Sequence, residues 1–196
     1  MIPWSSLPHL PPEISFLPSW LPFSIYTTAA WGRLTVFAFA ICRHHKCVRP
    51  LPNGLSSNND FLDELWRNPA DKDVPYCAPL WKAWMISINA LLLTIIHLGL
   101  SFVDILCRPF RRFSRRASVR WILSAQEPAG DWMSYVPTQY MVMLALQDEG
   151  FKIEDDSLAR GLKAMKRLLW EDKRGKRLQV CPSPTWDTAL MVIGMW

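Results

Sequence analysis

Long apolar stretches alternate with short polar, proline-containing loops along this chain, and the pattern predicts helices. Residues 24–42 are apolar on nearly all sides, which is typical of a buried helix. No stretch alternates between apolar and polar residues as a half-buried strand does. We therefore expect an all-α fold whose other helices cover about 61–66, 80–107, 115–125, 138–149 and 156–171, with a last helix beginning in SPTWDT.

Cap residues support several of these boundaries. Asp60 stands before the short helix at 61–66, and Asp156 or Ser157 stands where the helix ending near Glu171 should begin. Gly150 follows the helix at 138–149, in the position where a left-handed residue commonly ends a helix.

The first 23 residues form a separate segment by composition. Prolines interrupt LPPEISFLPSWLPF so often that a continuous helix is excluded. We expect residues 1–23 to lie extended on a surface or to form a poorly defined start, and residues 24–196 to form the domain.

The stretch Ala83–Val103 contains no charged residue over 21 positions, which is long enough to cross a bilayer. Polar residues interrupt it, namely Ser87, Asn89, Thr94, His97 and Ser101. Trp81 and Trp84 stand at one end and arginines follow the other end, as in a helix that dips into one leaflet. Three interpretations stay open for about 80–107: an interfacial helix, an ordinary buried helix, or a membrane-spanning one.

Composition adds an aromatic and basic character. The chain has 11 tryptophans, 16 prolines and a net charge of +5. So many tryptophans indicate either an aromatic cavity or a surface that faces a membrane. Basic runs at Arg108–Arg116 and Lys163–Arg177 are typical of solvated faces, and the first also suits an anionic membrane surface.

The five cysteines are odd in number and irregular in spacing, which indicates reduced thiols in a protein facing the cytosol. The group CRHHKC, Cys42–Cys47, crowds four potential ligands into six residues and has no second ligand pair. That spacing does not fit a tetrahedral zinc site, so we expect no metal. The N-terminus shows no signal-peptide pattern.

One constellation points to a specific chemistry. Arg116-Ala117, Trp121-Ile122, Gln126, Gly130 and Trp132 follow one another at fixed spacing, and the glutamine amide is suited to satisfy helix-terminal groups beside the indole. This segment resembles the QW repeat of triterpene cyclases, the squalene–hopene and oxidosqualene cyclases. Three further segments resemble the same family in the same order: PSWLPFSIYTTAAWGRLTV, VRPLPNG, and SPTWDTAL, the last of the squalene–hopene type.

The resemblance implies a fold and a function. The family's fold is a pair of α/α barrels around an apolar cavity, so this chain is expected to be a barrel fragment. Its implied activity is the cyclisation of squalene or a related polyprenyl lipid through carbocations, an intramolecular transferase or isomerase reaction without a cofactor. The family takes its substrate from a membrane, which implies a monotopic, cytosol-facing protein with no nucleic-acid partner. The oligomeric state, substrate and product stay open.

Site residues follow from the same resemblance. Trp31, Tyr135, Pro137 and Trp186 occupy positions that line the family's cavity, where π faces stabilise cations without attacking them. Hopene-type members often carry Ile-Gln-Pro where this chain has Tyr135-Val136-Pro137, which puts the termination chemistry and hence the product in doubt. We expect Asp187 to stabilise a helix start, where an acidic residue is favoured.

The family's initiating acid, an Asp-x-Asp-Asp motif, does not occur in this sequence. In the family's order it lies beyond Trp196, and Glu154-Asp155-Asp156 belongs to a helix-cap loop, so we expect no catalytic residue here. The resemblance also implies a chain that starts after the family's first helices. We therefore expect an inactive cyclase fragment. The alternatives are a non-catalytic, membrane-associated helical remnant and a small integral membrane protein built around residues 83–103.

Overall fold

The computed structural model describes residues 4–21, 24–49, 63–70, 76–181 and 184–195, with side chains omitted at Ser5 and residues 184–187. Seven helices and one hairpin organise this part of the chain: α1 Ala30–His45, α2 Leu80–Ile86, α3 Ile88–Leu106, α4 Arg111–Ser124, α5 Val136–Asp148, α6 Asp156–Arg167, β1 Leu169–Asp172, β2 Gly175–Leu178 and α7 Pro184–Gly194. Short 3-10 helices cover Trp4–Ser6, Pro12–Phe16, Ile25–Thr27, Asp63–Leu65 and Arg108–Phe110. The described chain is mostly helical, as expected.

The core lies between α1 and α5, which form the most extensive contact between helices, and is extended by α4 and α6. Its fully buried side chains include Leu34, Phe37, Ile41, Ile122, Trp132, Val142, Leu146 and Leu158. Polar contacts also cross this interface, because the buried Thr138 Oγ1 lies 2.6 Å from Thr35 Oγ1 and donates to the Trp31 carbonyl at 3.5 Å. Residues 24–42 were expected to be buried on most sides, and α1 does supply the largest share of the core.

The N-terminal segment packs on α4 through the 3-10 helix Pro12–Phe16. Glu13 is buried and accepts a hydrogen bond from Arg111 Nε at 3.2 Å, which links the segment to the start of α4. Tyr26 Oη donates to the Ser15 carbonyl at 2.7 Å. The described part of 1–23 is therefore not a continuous helix and is anchored by specific polar contacts.

The structure corrects the expectation of a chain without strands. Helix α6 ends at Arg167, and Leu169–Asp172 pairs antiparallel with Gly175–Leu178 instead of continuing the helix. Lys173 and Arg174 make the turn, and Gly175 has φ +115°, a left-handed value that suits glycine. The prediction that the helix continues to Glu171 was wrong. The residues of this exposed hairpin show no apolar–polar alternation, which is the sequence pattern that indicates a strand.

The predicted helix at 80–107 is two helices. Ser87 has φ −173° and ψ 161°, an extended conformation that separates α2 from α3. Its Oγ accepts a hydrogen bond from the Ala90 N–H at 3.1 Å, so Ser87 is the N-cap of α3. A serine within an apolar stretch thus begins a new helix here.

One cap prediction changes, and another lies outside the described residues. The N-cap of α6 is Asp155, one residue before Asp156, and its Oδ2 accepts from the Lys152 N–H at 2.8 Å instead of capping the helix. The expected cap Asp60 lies outside the described residues, and only Asp63–Leu65 of the short helix is seen, as a 3-10 turn. Gly150, at φ +96°, does follow the end of α5.

Candidate functional site

The turn from Gln126 to Trp132 follows α4 in the chain. Hydrogen bonds from Gln126 hold this turn against the start of α6. Gln126 Nε2 donates to the Gly130 carbonyl at 2.9 Å and to the Ser157 carbonyl at 2.8 Å. Its Oε1 accepts from the Arg160 guanidinium at 3.0 Å. The amide therefore uses both of its ends, and it ties the turn to the first residues of α6.

Trp132 is the fully buried centre of this turn. Its Nε1 donates to the Ile122 carbonyl at 2.8 Å, which satisfies the indole inside the core. Its backbone N–H donates to Gln139 Oε1 at 2.8 Å, and Gln139 Nε2 donates onward to the Gly161 carbonyl at 2.9 Å. A buried polar chain therefore runs from the turn through α5 to α6.

Two glycines permit this packing. Gly130 has φ +93°, and a Cβ there would lie 2.7 Å from the Arg160 carbonyl oxygen. A Cβ on Gly161 would lie 2.8 Å from Cζ3 of Trp132. The sequence analysis identified Gly130 but missed Gln139 and Gly161. A glutamine in the apolar stretch of α5 and a glycine inside a helix are the signals that could have found them.

A second set of aromatic side chains forms an open pocket at the N-terminal end of α5. The rings of Trp31 and Tyr135 meet edge to face, with centroids 5.7 Å apart and planes inclined by 68°. They line a cavity of about 360 Å³ together with Ala30, Met133 and Cys181. Trp31 is 54% exposed, so the pocket opens to the surface of the described molecule.

Three elements bring these residues together. Trp31 is the second residue of α1, and its carbonyl accepts from Thr35 Oγ1 at 2.8 Å. Tyr135 is the N-cap of α5 and follows Met133 and Ser134, whose φ values of 62° and 46° are left-handed. Such backbone conformations are costly outside glycine and recur at ligand sites.

The hairpin supplies the last wall of the aromatic pocket. The Val136 N–H donates to the Val180 carbonyl at 3.0 Å, which places Cys181 beside Tyr135. The unpredicted strands thus contribute to the pocket.

The structure brings together two of the four predicted cavity residues. Pro137, in the first turn of α5, is exposed and is not among the residues that line the pocket. The side chains of Trp186 and Asp187 lie outside the described residues, although the backbone places them at the third and fourth positions of α7. Whether Trp186 joins the pocket stays a prediction.

Helices α2 and α3 expose an apolar surface. Trp81 and Trp84 are each 65% exposed, and only 6% of the apolar window of α3 is buried. Among the described helices, α3 is the one whose length and composition would allow it to cross a membrane. The three interpretations for this stretch stay open.

The Cys42–Cys47 cluster has the chemistry of ordinary thiols. Burial, and then the neighbouring Asp148, together raise the pKa of Cys42 to about 12. A hydrogen bond with Asp148 also raises the pKa of Cys47. Both groups are therefore protonated near neutral pH, whereas metal ligation needs thiolates. No group of three potential metal ligands occurs within the described ranges.

Comparison with known proteins gives the family. Residues 1–174 match the model of the squalene–hopene cyclase N-terminal domain. The chain is 44% identical over 193 residues to a squalene hopane cyclase of Aspergillus fumigatus, covering 98% of this chain and 26% of that protein. It is 40% identical over 197 residues to a terpene cyclase–glycosyl transferase fusion protein of Humicola fuscoatra, covering 98% of this chain and 15% of the relative.

A more distant relative is the squalene–hopene cyclase of Alicyclobacillus acidocaldarius, 28% identical over 194 residues, which are 98% of this chain and 29% of that protein. The chain thus spans about a quarter or less of the length of the first two of these relatives. The family expected from the sequence motifs is confirmed. The chain belongs to the family of squalene–hopene cyclase N-terminal domains.

Proposed function

We propose that this chain contributes one aromatic wall of the cavity of a triterpene cyclase that converts squalene or a related polyprenyl lipid through carbocations. The observation that carries the proposal is the edge-to-face pair of Trp31 and Tyr135 on an open pocket. Ring faces stabilise a cation within about 6 Å and offer no base to quench it. On this proposal the pocket opens toward the rest of the substrate cavity.

The proposed architecture is a portion of an α/α barrel that includes one QW repeat. The bonds of Gln126 and Trp132 support this, because they fasten α4, α5 and α6 to one another around a single turn. We assign the repeat a structural role: it keeps the start of α5, and with it Tyr135, at a fixed position.

The chain by itself is proposed to be inactive. Its sequence contains no Asp-x-Asp-Asp motif, and protonation of an alkene requires a strong, correctly placed acid. The acidic residues Asp155 and Asp156 lie at the start of α6. Asp155 accepts a hydrogen bond from the Lys152 N–H, and Asp156 pairs with Arg160 at 2.9 Å. These carboxylates are exposed and have helix-terminal partners. Purified chain incubated with squalene should therefore yield no cyclic triterpene.

A chimera tests the cavity assignment. The matching region of the Aspergillus fumigatus relative is replaced by this chain, and cyclic triterpenes are measured by gas chromatography with mass detection. We expect product from the chimera and a loss of about tenfold or more after Trp31→Ala, because one cation–π contact in a dry site contributes about 2 kcal/mol. The control Trp170→Ala, at an exposed indole on β1, should keep the yield. Equal yields from both variants would refute the assignment.

We also propose that the α2–α3 surface attaches the protein to a membrane as a monotopic, cytosol-facing element. The support is the exposure of its apolar side chains, the tryptophans at one end and the arginines after Cys107. All five cysteines are free, which fits a reducing compartment.

Liposome flotation tests the attachment. Three part-exposed residues of α3 share a face by spacing and are changed to glutamate together: Leu91, Ile95 and Leu98. The half-exposed Ile95 and Leu98 each gain about 1 kcal/mol on entering lipid and the less exposed Leu91 gains less, so the triple variant should bind at least about thirtyfold more weakly. The control carries glutamate at three comparably exposed apolar positions elsewhere and should float like the parent: Ile153, Leu169 and Val180. Unchanged flotation of the α3 variant would exclude this surface as the attachment site.

A further inference from the structure

A pocket of about 280 Å³ lies where the N-terminal segment, the end of α1 and the junction of α3 with α4 meet. Its charged lining consists of one carboxylate and four basic side chains, Asp104 with Arg43, Lys46, Arg108 and Arg111. The volume is near the lower end of small-ligand sites, about 300 Å³. It shares no lining residue with the aromatic pocket. We call it the basic pocket.

Arg43 places a buried positive charge in this pocket. The residue is only 7% exposed, and its guanidinium donates to the Trp4 carbonyl. Within the part of the chain that the structure describes, no carboxylate lies at ion-pair distance from it. Removing a guanidinium from water is costly unless an anion compensates its charge. An anion in the pocket would supply that compensation.

Arg111 is different, because its charge is already neutralised. Its Nε donates to Glu13 at 3.2 Å, and its terminal nitrogen donates to Asp104 Oδ1 at 2.7 Å. Asp104 is thereby held by Arg111, and its charge also opposes the lowering of the Arg43 pKa that burial causes. For the side chains of Lys46 and Arg108, no acceptor is recorded among the described residues. The net positive charge of the basic pocket thus comes from Arg43, Lys46 and Arg108.

The start of α4 adds a second positive element to the same place. This 14-residue helix begins at Arg111, its N-cap Phe110 makes no side-chain capping bond, and its first turn has no acidic residue. A helix N-terminus carries a partial positive charge and favours anions. The helix dipole is therefore unfavourable for the positive charges of Arg108, Arg111 and Arg112. A bound anion would offset this unfavourable interaction.

The two histidines of the lining show the sign of the local field. The pKa of His9 is lowered by burial and then by Arg43. The pKa of His44 is lowered to about 4 by partial burial and then by Arg115. Both rings are neutral near pH 7, so each has an N–H that can donate to an anion. The cationic side chains and the two neutral imidazoles line one cavity, and all of them can donate hydrogen bonds to an anion.

We propose that the basic pocket binds a phosphate-type anion, as a free pyrophosphate or as the phosphomonoester headgroup of a lipid. Guanidinium groups match the oxygens of phosphate in geometry and charge. The pocket is large enough for one such group and includes Asp104, in the last turn of α3. A headgroup at the edge of the proposed membrane surface would therefore reach it, and so would an anion from solution.

Calorimetric titration of the full 196-residue chain with sodium pyrophosphate tests the site. The double variant Lys46→Gln/Arg108→Gln is compared with the double variant Lys163→Gln/Arg120→Gln, which removes the same charge from exposed positions outside the lining. Arg43 is left intact because a change at a buried charge would endanger folding. Each lost charged hydrogen bond weakens binding by about tenfold or more, so the pocket variant should bind at least about tenfold more weakly. The control should stay within about twofold.

Equal weakening of both variants, or no binding by the parent chain, would overturn the proposal. A second readout is the titration of the histidine rings by ¹H–¹⁵N NMR. Bound pyrophosphate should raise the pKa of His9 and His44 in the parent chain and leave both unchanged in the pocket variant. A long-range charge effect alone would shift the pKa values of His9 and His44 by similar amounts in the pocket and control variants.

Vesicles distinguish the two sources of phosphate. The chain is floated with phosphatidylcholine vesicles containing phosphatidic acid, with and without excess pyrophosphate. Release by pyrophosphate identifies the lipid headgroup as the occupant, whereas unchanged flotation with intact calorimetric binding identifies a soluble anion. Because the α3 glutamate variant removes attachment without touching the basic pocket, failure of the membrane proposal and failure of this one give different results.

Discussion

Replacing Gly161 by alanine sets two opposing energies against each other within α6. Alanine favours an interior helix position by about 1 kcal/mol over glycine. Against this, the new Cβ would lie 2.8 Å from Cζ3 of Trp132 and 3.4 Å from Gln139 Nε2. Trp132 is fully buried and cannot retreat easily, since its Nε1 and its backbone N–H are both engaged in hydrogen bonds of 2.8 Å.

Overpacking of this kind costs about 1–3 kcal/mol, and displacing the tryptophan also strains the bonds that hold it. We therefore expect the clash to win and Gly161→Ala to destabilise the chain by about 1–2 kcal/mol. For a protein of this size the Tm should fall by roughly 2–8 °C. Thermal unfolding followed by far-UV circular dichroism measures the shift, and near-UV spectra report the displacement of Trp132.

The matched control is Gly32→Ala in α1, where the added Cβ would meet no atom within 4 Å. That variant should keep or raise the Tm, by up to about 3 °C, because only helix propensity changes. A Tm for Gly161→Ala at or above that of the parent would show that Trp132 yields at little cost. The reasoning about close packing between the turn and α6 would then be refuted.

Two further expectations concern buried polar groups. Gln139→Ala should cost about 1–3 kcal/mol in urea unfolding, because it leaves the buried Trp132 N–H without a partner and removes one donor from the Gly161 carbonyl, whereas Gln147→Ala, exposed on the same helix, should be near neutral; similar losses in both would contradict the role of the buried amide. Iodoacetamide at pH 8 should label exposed Cys181 and spare Cys42 until the chain unfolds, since the pKa of Cys42 is raised to about 12 by burial. The pKa of the unfolded thiol is near 9, whereas that of the buried thiol is about 12. The stability that Cys42 contributes is therefore intact below pH 9 and is lost as the pH rises toward 12. Early labelling of Cys42 in native protein would contradict its burial.

Much of the local structure was readable from the chain. The apolar stretch of α1 and the glycine after α5 act through neighbours a few residues away. The spacing of Gln126, Gly130 and Trp132 was also visible in the sequence, although Gln126 acts through Ser157 and Arg160 in α6. Local terms of this kind, namely apolar periodicity, caps and left-handed glycines, depend little on the rest of the molecule. For the same reason the sequence motifs were sufficient to predict the family.

Other features depend on which segments meet. Nothing near Gly161 in the sequence indicates that Trp132 would press against it, because the two come together only when α6 packs on the turn. Similarly, the aromatic pocket needs Cys181 beside Trp31, and that neighbour arrives through the unpredicted hairpin and one backbone bond to Val180. Contacts between residues far apart in the chain are set by packing and desolvation, which a one-dimensional pattern does not encode.

The basic residues show the same division most clearly. The sequence by itself determined that arginines cluster after α3, and it allowed either a solvated face or a membrane-facing one. Only the tertiary structure decided which of them are neutralised: it pairs Arg111 with Glu13 and Asp104, and it buries Arg43 from a distant helix beside Lys46 and Arg108. The physical reason is that the energy of a charge depends on its solvation and on its partners within a few ångströms, and both are properties of the folded chain.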